Sequence, residues 1–124
     1  MAGGRTDQWI KGYLAAWTSN QPGEIGALFT EDAAYYTAPY RPGWHGRQAI
    51  IDGWLDRKDA PDSWSFEYKV IVEQGDLGVI EGVTTYHDQG RWYSNLWLIW
   101  FDGDGRCRKF VEYFMQQPGK GDGR

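Results

Sequence analysis

Glu112 is the residue in this sequence with the most chemical consequence. It stands between Phe110 and Phe114 in the run RCRKFVEYFMQQ, and alternation along a strand puts all three on one face. A carboxyl among aromatic rings loses the water that stabilises its charge. Its pKa then climbs toward neutrality, where it can take a proton from carbon beside a carbonyl and give it back. The plainer reading is a strand carboxylate paired with a cation such as Arg91, or exposed near an edge. Phenols at Tyr13, Tyr35 and Tyr86 could donate to a ligand oxygen, or serve only in amphipathic packing. His45, in a loop, could carry protons at a cavity mouth or simply be solvated, and His87, beside a turn, is expected in solvent. The two histidines lie far apart with no HxH or HxxxH spacing, so no metal is expected. Cys107 is out of phase with Glu112 and is expected on the opposite sheet face, which leaves no nucleophile triad. The glycines fall in turns and tails rather than in a GxxxxGK pattern. No cofactor, metal or organic, is called for.

The elements that must hold these groups follow from periodicity. From Thr6 to about Ser19, Trp9, Ile10, Tyr13, Leu14 and Trp17 make one stripe of a helix. Asn20-Gln21-Pro22-Gly23 breaks it, and Pro22 suits the first turn of a short second helix ending near Phe29. Thr30-Glu31-Asp32 reads as a turn, Ala33 to Pro39 as a short strand, and Tyr40 to His45 as a loop. Gly46 opens a third helix with Ile50, Ile51, Trp54 and Leu55 inward and Arg47, Asp52, Asp56 and Arg57 toward water. Asp59 to Ser63 is a loop. Phe66, Tyr68, Val70 and Val72 then alternate with the wet positions Glu67, Lys69 and Glu73. Leu77 to His87 forms the next strand, and a long hairpin from Arg91 to Gln116 turns at Asp102-Gly103-Asp104-Gly105. Its first strand is apolar on both faces, with Trp97, Ile99 and Phe101 on one and Trp92, Leu96, Leu98 and Trp100 on the other. Met1 to Arg5 and Pro118 to Arg124 read as frayed or solvated ends.

At 124 residues the chain is one domain, residues 1–124, with no internal repeat. Eight Trp, eight Tyr and five Phe exceed the needs of a small core, so some should line a cavity or a subunit contact. A net charge of −4 with scattered Lys and Arg argues against nucleic acid or an anionic membrane as partner. One cysteine allows no internal disulfide and fits a reducing compartment. No apolar run is long enough for a signal peptide or a span, so a soluble cytoplasmic protein is expected. Helices first and strands last predict an α+β fold, a cone of three helices packed on a curved mixed or antiparallel sheet.

This order, with the stretches LFTEDAAYYTAP, HGRQAI and DGRCRKFVEYF, resembles the nuclear transport factor 2-like superfamily with its cystatin-like cone, and above all its SnoaL-like branch. The resemblance runs from about Trp9 to Gln117 and implies a fold more than a function, because isomerases, cyclases, epoxide hydrolases and binders share it. Ketosteroid isomerases of this fold use a tyrosine that matches Tyr13, but their base falls on Thr37 and their neutral acid on Trp97. Limonene epoxide hydrolases place an acid before Tyr-Phe, as Glu112 precedes Tyr113-Phe114, and a tyrosine at Tyr35. Their asparagine, arginine and second aspartate fall on Thr37, Gly82 and Thr84. Both activities are therefore disfavoured, while SnoaL-like cyclases, with a single pocket acid, stay open. Phase with the matched positions also turns Thr37, Thr84 and Asn95 into the pocket.

The expected site is thus Glu112 as general acid-base, with Tyr13, Trp17, Tyr35, Thr37, Trp54, Thr84, Tyr86, Asn95, Trp97, Phe110 and Phe114 around a small apolar or aromatic ligand. The function implied is a cofactor-independent isomerase, cyclase or lyase. The alternative is a non-catalytic binding or dimerising module. A homodimer is expected through the open sheet face, since Trp92, Leu96, Leu98 and Trp100 would otherwise meet water.

Overall fold

The computed structural model describes residues 4–118. Most of the ends expected to be frayed or solvated, residues 1–3 and 119–124, lie outside that range. Three helices, α1 (Arg5–Ser19), α2 (Pro22–Gly26) and α3 (Arg47–Asp56), accompany six strands. These are β1 (Phe29–Tyr36), β2 (Trp44–His45), β3 (Trp64–Gln74), β4 (Leu77–Tyr86), β5 (Arg91–Phe101) and β6 (Cys107–Gln116). They form one sheet in the order β2-β1-β6-β5-β4-β3, antiparallel except for the parallel β1–β6 pair. The α+β cone expected from the sequence is therefore the fold observed. Among the described residues, no helix is long and apolar enough to cross a membrane.

Each element behaves as its side chains require. The α1 stripe buries Trp9, Ile10 and Tyr13 against the sheet, and the Trp9 indole donates to the Leu28 carbonyl at 2.9 Å. Asn20 ends the helix at φ 53°, its amide donating to the Ala16 carbonyl, a left-handed cap that Asn tolerates better than most residues. Strand β5 alternates as expected, with Asn95, Trp97, Ile99 and Phe101 buried and Leu96, Leu98 and Trp100 turned outward. Of these, Trp97, Ile99 and Phe101 join residues of α1 and α3 in a single core rich in aromatic side chains.

Several local expectations need correction, and irregular strand pairing accounts for most of them. Cys107 is not on the outer face but fully buried in the core. A register shift between Trp100 and Phe101 pairs Phe101 with Cys107 and Trp100 with Lys109, so the extra residue inverts the phase at the start of β6. Thr30-Glu31-Asp32 is not a turn; it lies inside β1, where the six residues from Phe29 to Ala34 oppose only Cys107 to Lys109. In β3 a shift between Val70 and Val72 ends the simple alternation. Val70 and Val72 are consequently exposed, while Glu73 is exposed as expected and also accepts the Thr6 amide at the start of α1. Arg47 does not face water alone: its Nε and Nη2 donate to the Phe29 carbonyl at 3.1 and 2.9 Å, tying α3 to β1. Helix α2 stops at Gly26 rather than near Phe29. Within the expected Tyr40–His45 loop, Trp44 and His45 add the edge strand β2.

Gly82 in β4 is a close approach that no other residue fills. A Cβ there would lie 2.5 Å from the Phe66 ring and 2.9 Å from the Glu67 carbonyl oxygen, because Phe66 folds across the strand to stack on Trp97 at 4.8 Å. Substituting Gly82→Ala should cost about 1–3 kcal/mol of stability through overpacking. Urea unfolding would show this as a lower midpoint with little change in slope; an unshifted midpoint would contradict the close packing.

Candidate functional site

A cavity of about 440 Å³ opens between α1, α3 and the concave side of the sheet. That volume lies in the range of small-molecule sites, roughly 300–1,000 Å³. Pairing across three strands builds its polar floor. Glu112 sits directly opposite Trp97, and Asn95 and Thr84 occupy diagonal positions on the same face. The Thr84 hydroxyl donates to Asn95 Oδ1 at 2.8 Å, which leaves the Asn95 amide nitrogen to donate to Glu112 Oε2 at 2.7 Å. The Trp97 indole donates to the same oxygen at 3.2 Å. Glu112 Oε1 takes no hydrogen bond among the described residues, so it is the oxygen free to exchange a proton with a ligand.

Burial raises the Glu112 pKa from about 4.5 to about 7, even though the Trp97 and Asn95 donors pull it down. Desolvation wins because the rings around the carboxyl replace water without replacing its dipoles. Across the cavity the Tyr13 and Tyr35 hydroxyls are 2.7 Å apart. Both phenols stay protonated far above neutrality, first through burial, with the nearby Glu112 charge adding to it. One of the two protons is used within the pair and the other can point at a ligand oxygen. Tyr86, also raised chiefly by burial and then by Asp59, stands nearer the mouth.

The structure brings Glu112 together with Tyr13, Trp17, Tyr35, Thr37, Trp54, Thr84, Tyr86, Asn95, Trp97 and Phe114 around this one cavity. Phe110 does not line it. It is fully buried beneath the floor, stacked on Tyr35 at 4.5 Å and against Trp97 at 5.1 Å. Arg91 makes no ion pair with Glu112; it is exposed, and among the described residues its side chain reaches the Tyr93 hydroxyl. His45 is exposed, bonded to the Pro42 carbonyl and absent from the wall. His87 is exposed as well. Sequence reasoning missed Trp44, Arg57, Lys58, Asp59, Gln89 and Tyr93, all of which line the cavity or its mouth. Trp44, Arg57, Lys58, Asp59 and Gln89 sit in loops, turns and a two-residue strand, where no periodicity points them inward, whereas Tyr93 is in phase with Asn95 and Trp97 on β5 and strand alternation could have found it. Among the described residues, no group of three or more His, Cys, Asp and Glu could hold a metal ion.

A family model described as SnoaL-like domain matches residues 10–113. The chain belongs to the SnoaL-like domain family. No curated protein matches it. Solved structures share its fold at low identity. A nuclear transport factor 2-like protein of unknown function from Burkholderia xenovorans has a TM-score of 0.71 at 18% identity, covering 96% of this chain and 91% of that one. A cystatin-like-fold protein of unknown function from Methylobium petroleophilum has a TM-score of 0.69 at 16% identity, over 97% and 82%. A ketosteroid isomerase-like protein from Erwinia carotovora has a TM-score of 0.63 at 18% identity, over 90% and 94%. Trp97 spends its indole proton on Glu112, and the Phe66 ring occupies the space a side chain at position 82 would need.

Two consequences can be measured. By side-chain NMR, Glu112 should titrate near 7, and Asn95→Leu or Thr84→Val should raise that value by removing or releasing a donor to the carboxylate. The phenols of Tyr13, Tyr35 and Tyr86 stay neutral throughout this range. Because the folded pKa lies above the unfolded one, the native state holds the extra proton between about pH 4.5 and 7. Stability contributed by the protonated carboxyl is present below 4.5 and lost as pH rises through 7. Glu112→Gln should therefore gain stability relative to the parent between pH 5 and 8, by ~3 kcal/mol at most. A pH-independent difference would mean the carboxyl is not desolvated.

Proposed function

We propose that the cavity takes a small apolar or aromatic molecule bearing one or two oxygens, and that Glu112 acts on it as a general acid-base. One observation carries this reading: a carboxyl poised near neutrality in an aromatic chamber, with one oxygen anchored and the other free. Glu112 Oε1 would take a proton from carbon next to a ligand carbonyl. The unused proton of the Tyr13–Tyr35 pair would stabilise charge building on the carbonyl oxygen, and Glu112 would return its proton to a different atom. An isomerisation, a ring closure or a lyase step can each proceed by such transfers, with no cofactor required. The similarity to a ketosteroid isomerase-like protein is one of fold and names no substrate.

A non-catalytic binding module is the second reading. It is favoured by the absence of another carboxylate beside Glu112 among the lining residues, since Asp59 lies at the mouth and accepts the Trp17 indole at 3.0 Å. The open volume speaks against the bare dimerising module with a filled cone. In a panel of cyclic ketones and hydroxyaromatic compounds, Glu112→Gln should lower turnover of any substrate by about 10²–10⁴-fold while ligand affinity stays within a few-fold. Turnover equal to the parent would remove the catalytic role, and ligands bound but never converted would favour the binder.

The same proposal includes a homodimer through the outer sheet face. Leu96 and Tyr113 are exposed there at 39% and 43%, in a groove of about 710 Å³ shared with Val83 and Met115. Trp92, Leu98 and Trp100 are half-buried on the same side of β5. Two such strips are self-complementary, as an isologous contact requires. Light scattering after gel filtration should give twice the chain mass, and Leu96→Glu should shift it to the monomer.

A further inference from the structure

The mouth of the cavity carries charge that the acid-base reading does not use. Arg57 caps the C-terminal end of α3 and Lys58 follows it, and both line the cavity. Neither makes an ion pair or a side-chain hydrogen bond among the described residues, although other basic side chains of the chain do. The fixed anion beside them is Asp59, whose Oδ2 is held by Trp17 and whose carbonyl accepts the Asn20 amide. In turn Asn20 Oδ1 accepts the Trp54 indole at 3.2 Å. This network fixes the loop after α3, and with it the backbone that carries both cations. The mouth therefore holds two positive charges against one negative charge on a protein whose net charge is −4. A cationic rim on an acidic protein focuses anions into the cleft that it surrounds.

We infer that the ligand is a cyclic or aromatic acid whose carboxylate seats at Arg57 and Lys58 while its ring fills the aromatic chamber. This rests on the proposed pocket and adds to it the substrate class and the orientation. The excess of one positive charge suits a monoanion. A phosphate ester would call for more donors than the rim supplies. Arg57 offers a planar fork that matches a carboxylate, and Lys58 adds a mobile point charge. Seated this way, the acid group stays at the wet end near Tyr86 and Gln89, and the opposite end of the molecule faces Glu112.

The test uses 2-naphthoate and its neutral isostere 2-naphthamide, followed by quenching of the tryptophans in the cavity wall. In low salt the acid should bind about tenfold more tightly than the amide, a preference that shrinks as salt screens the rim. Arg57→Gln/Lys58→Gln should abolish the preference and leave amide binding within threefold. The swap Arg57→Lys/Lys58→Arg should retain most of it. Equal binding of acid and amide to the parent, or a preference that survives in the double glutamine variant, overturns the inference alone. If neither compound binds, the inference and the apolar pocket fall together. A preference for the acid alongside unchanged turnover in Glu112→Gln would uphold the ligand class and remove only the catalysis.

Discussion

The pocket depends on uninterrupted side-chain alternation across β4, β5 and β6. From Thr84 through Asn95 and Trp97 to Glu112 the three strands stay in register, so these four side chains emerge on the concave face together. A slip of one residue would send Glu112 into solvent and put Val111 or Tyr113 in its place. The bulge near the hairpin turn adds its extra residue before Phe110, which turns Cys107 inward without disturbing the pairing at Glu112. Irregularity is thus kept at the turn end of the hairpin, away from the floor of the cavity.

That register sets up a contest between desolvation and hydrogen bonding. The aromatic wall withholds water from the carboxyl, while Asn95 and Trp97 replace only part of its hydration. The balance leaves the pKa near 7 rather than fully restored or driven far higher. Thr84 matters at one remove. By donating to Asn95 Oδ1 it settles which end of the amide faces Glu112. The buried tyrosine pair follows the same logic: each phenol satisfies the other where water is excluded, and their charged forms are suppressed. Polar groups in this chamber are held by one another, which keeps them aimed at whatever enters.

Much of this was legible along the chain. Alternation placed Glu112 among aromatic residues, and the two-and-two spacing of apolar residues placed Tyr13, Trp17 and Trp54 on helix faces turned to the sheet. Phe110 shows the limit of that reasoning. Phase told which face it occupies, but depth beneath Tyr35 and Trp97 depends on neighbours from other strands. Arg57, Lys58 and Gln89 were invisible as pocket residues because loop and turn side chains have no period to orient them. Cys107 was assigned to the wrong face, and Val70 and Val72 to a covered one, for a related reason: a bulge adds a residue to one strand only, and its partner's sequence is needed to detect it.

The sequence by itself determined the class of fold, the two-sided apolar character of β5 and the presence of one acid in an aromatic row. Those follow from local patterns of polarity, which the solvent reads one element at a time. Tertiary structure alone decided that the acid meets Asn95 and Trp97 rather than Arg91, and that two cations ring the mouth. It also decided that Phe66 occupies the space above Gly82. Such contacts join residues far apart in the chain, and their geometry exists only once the strands have paired and the helices have closed over them.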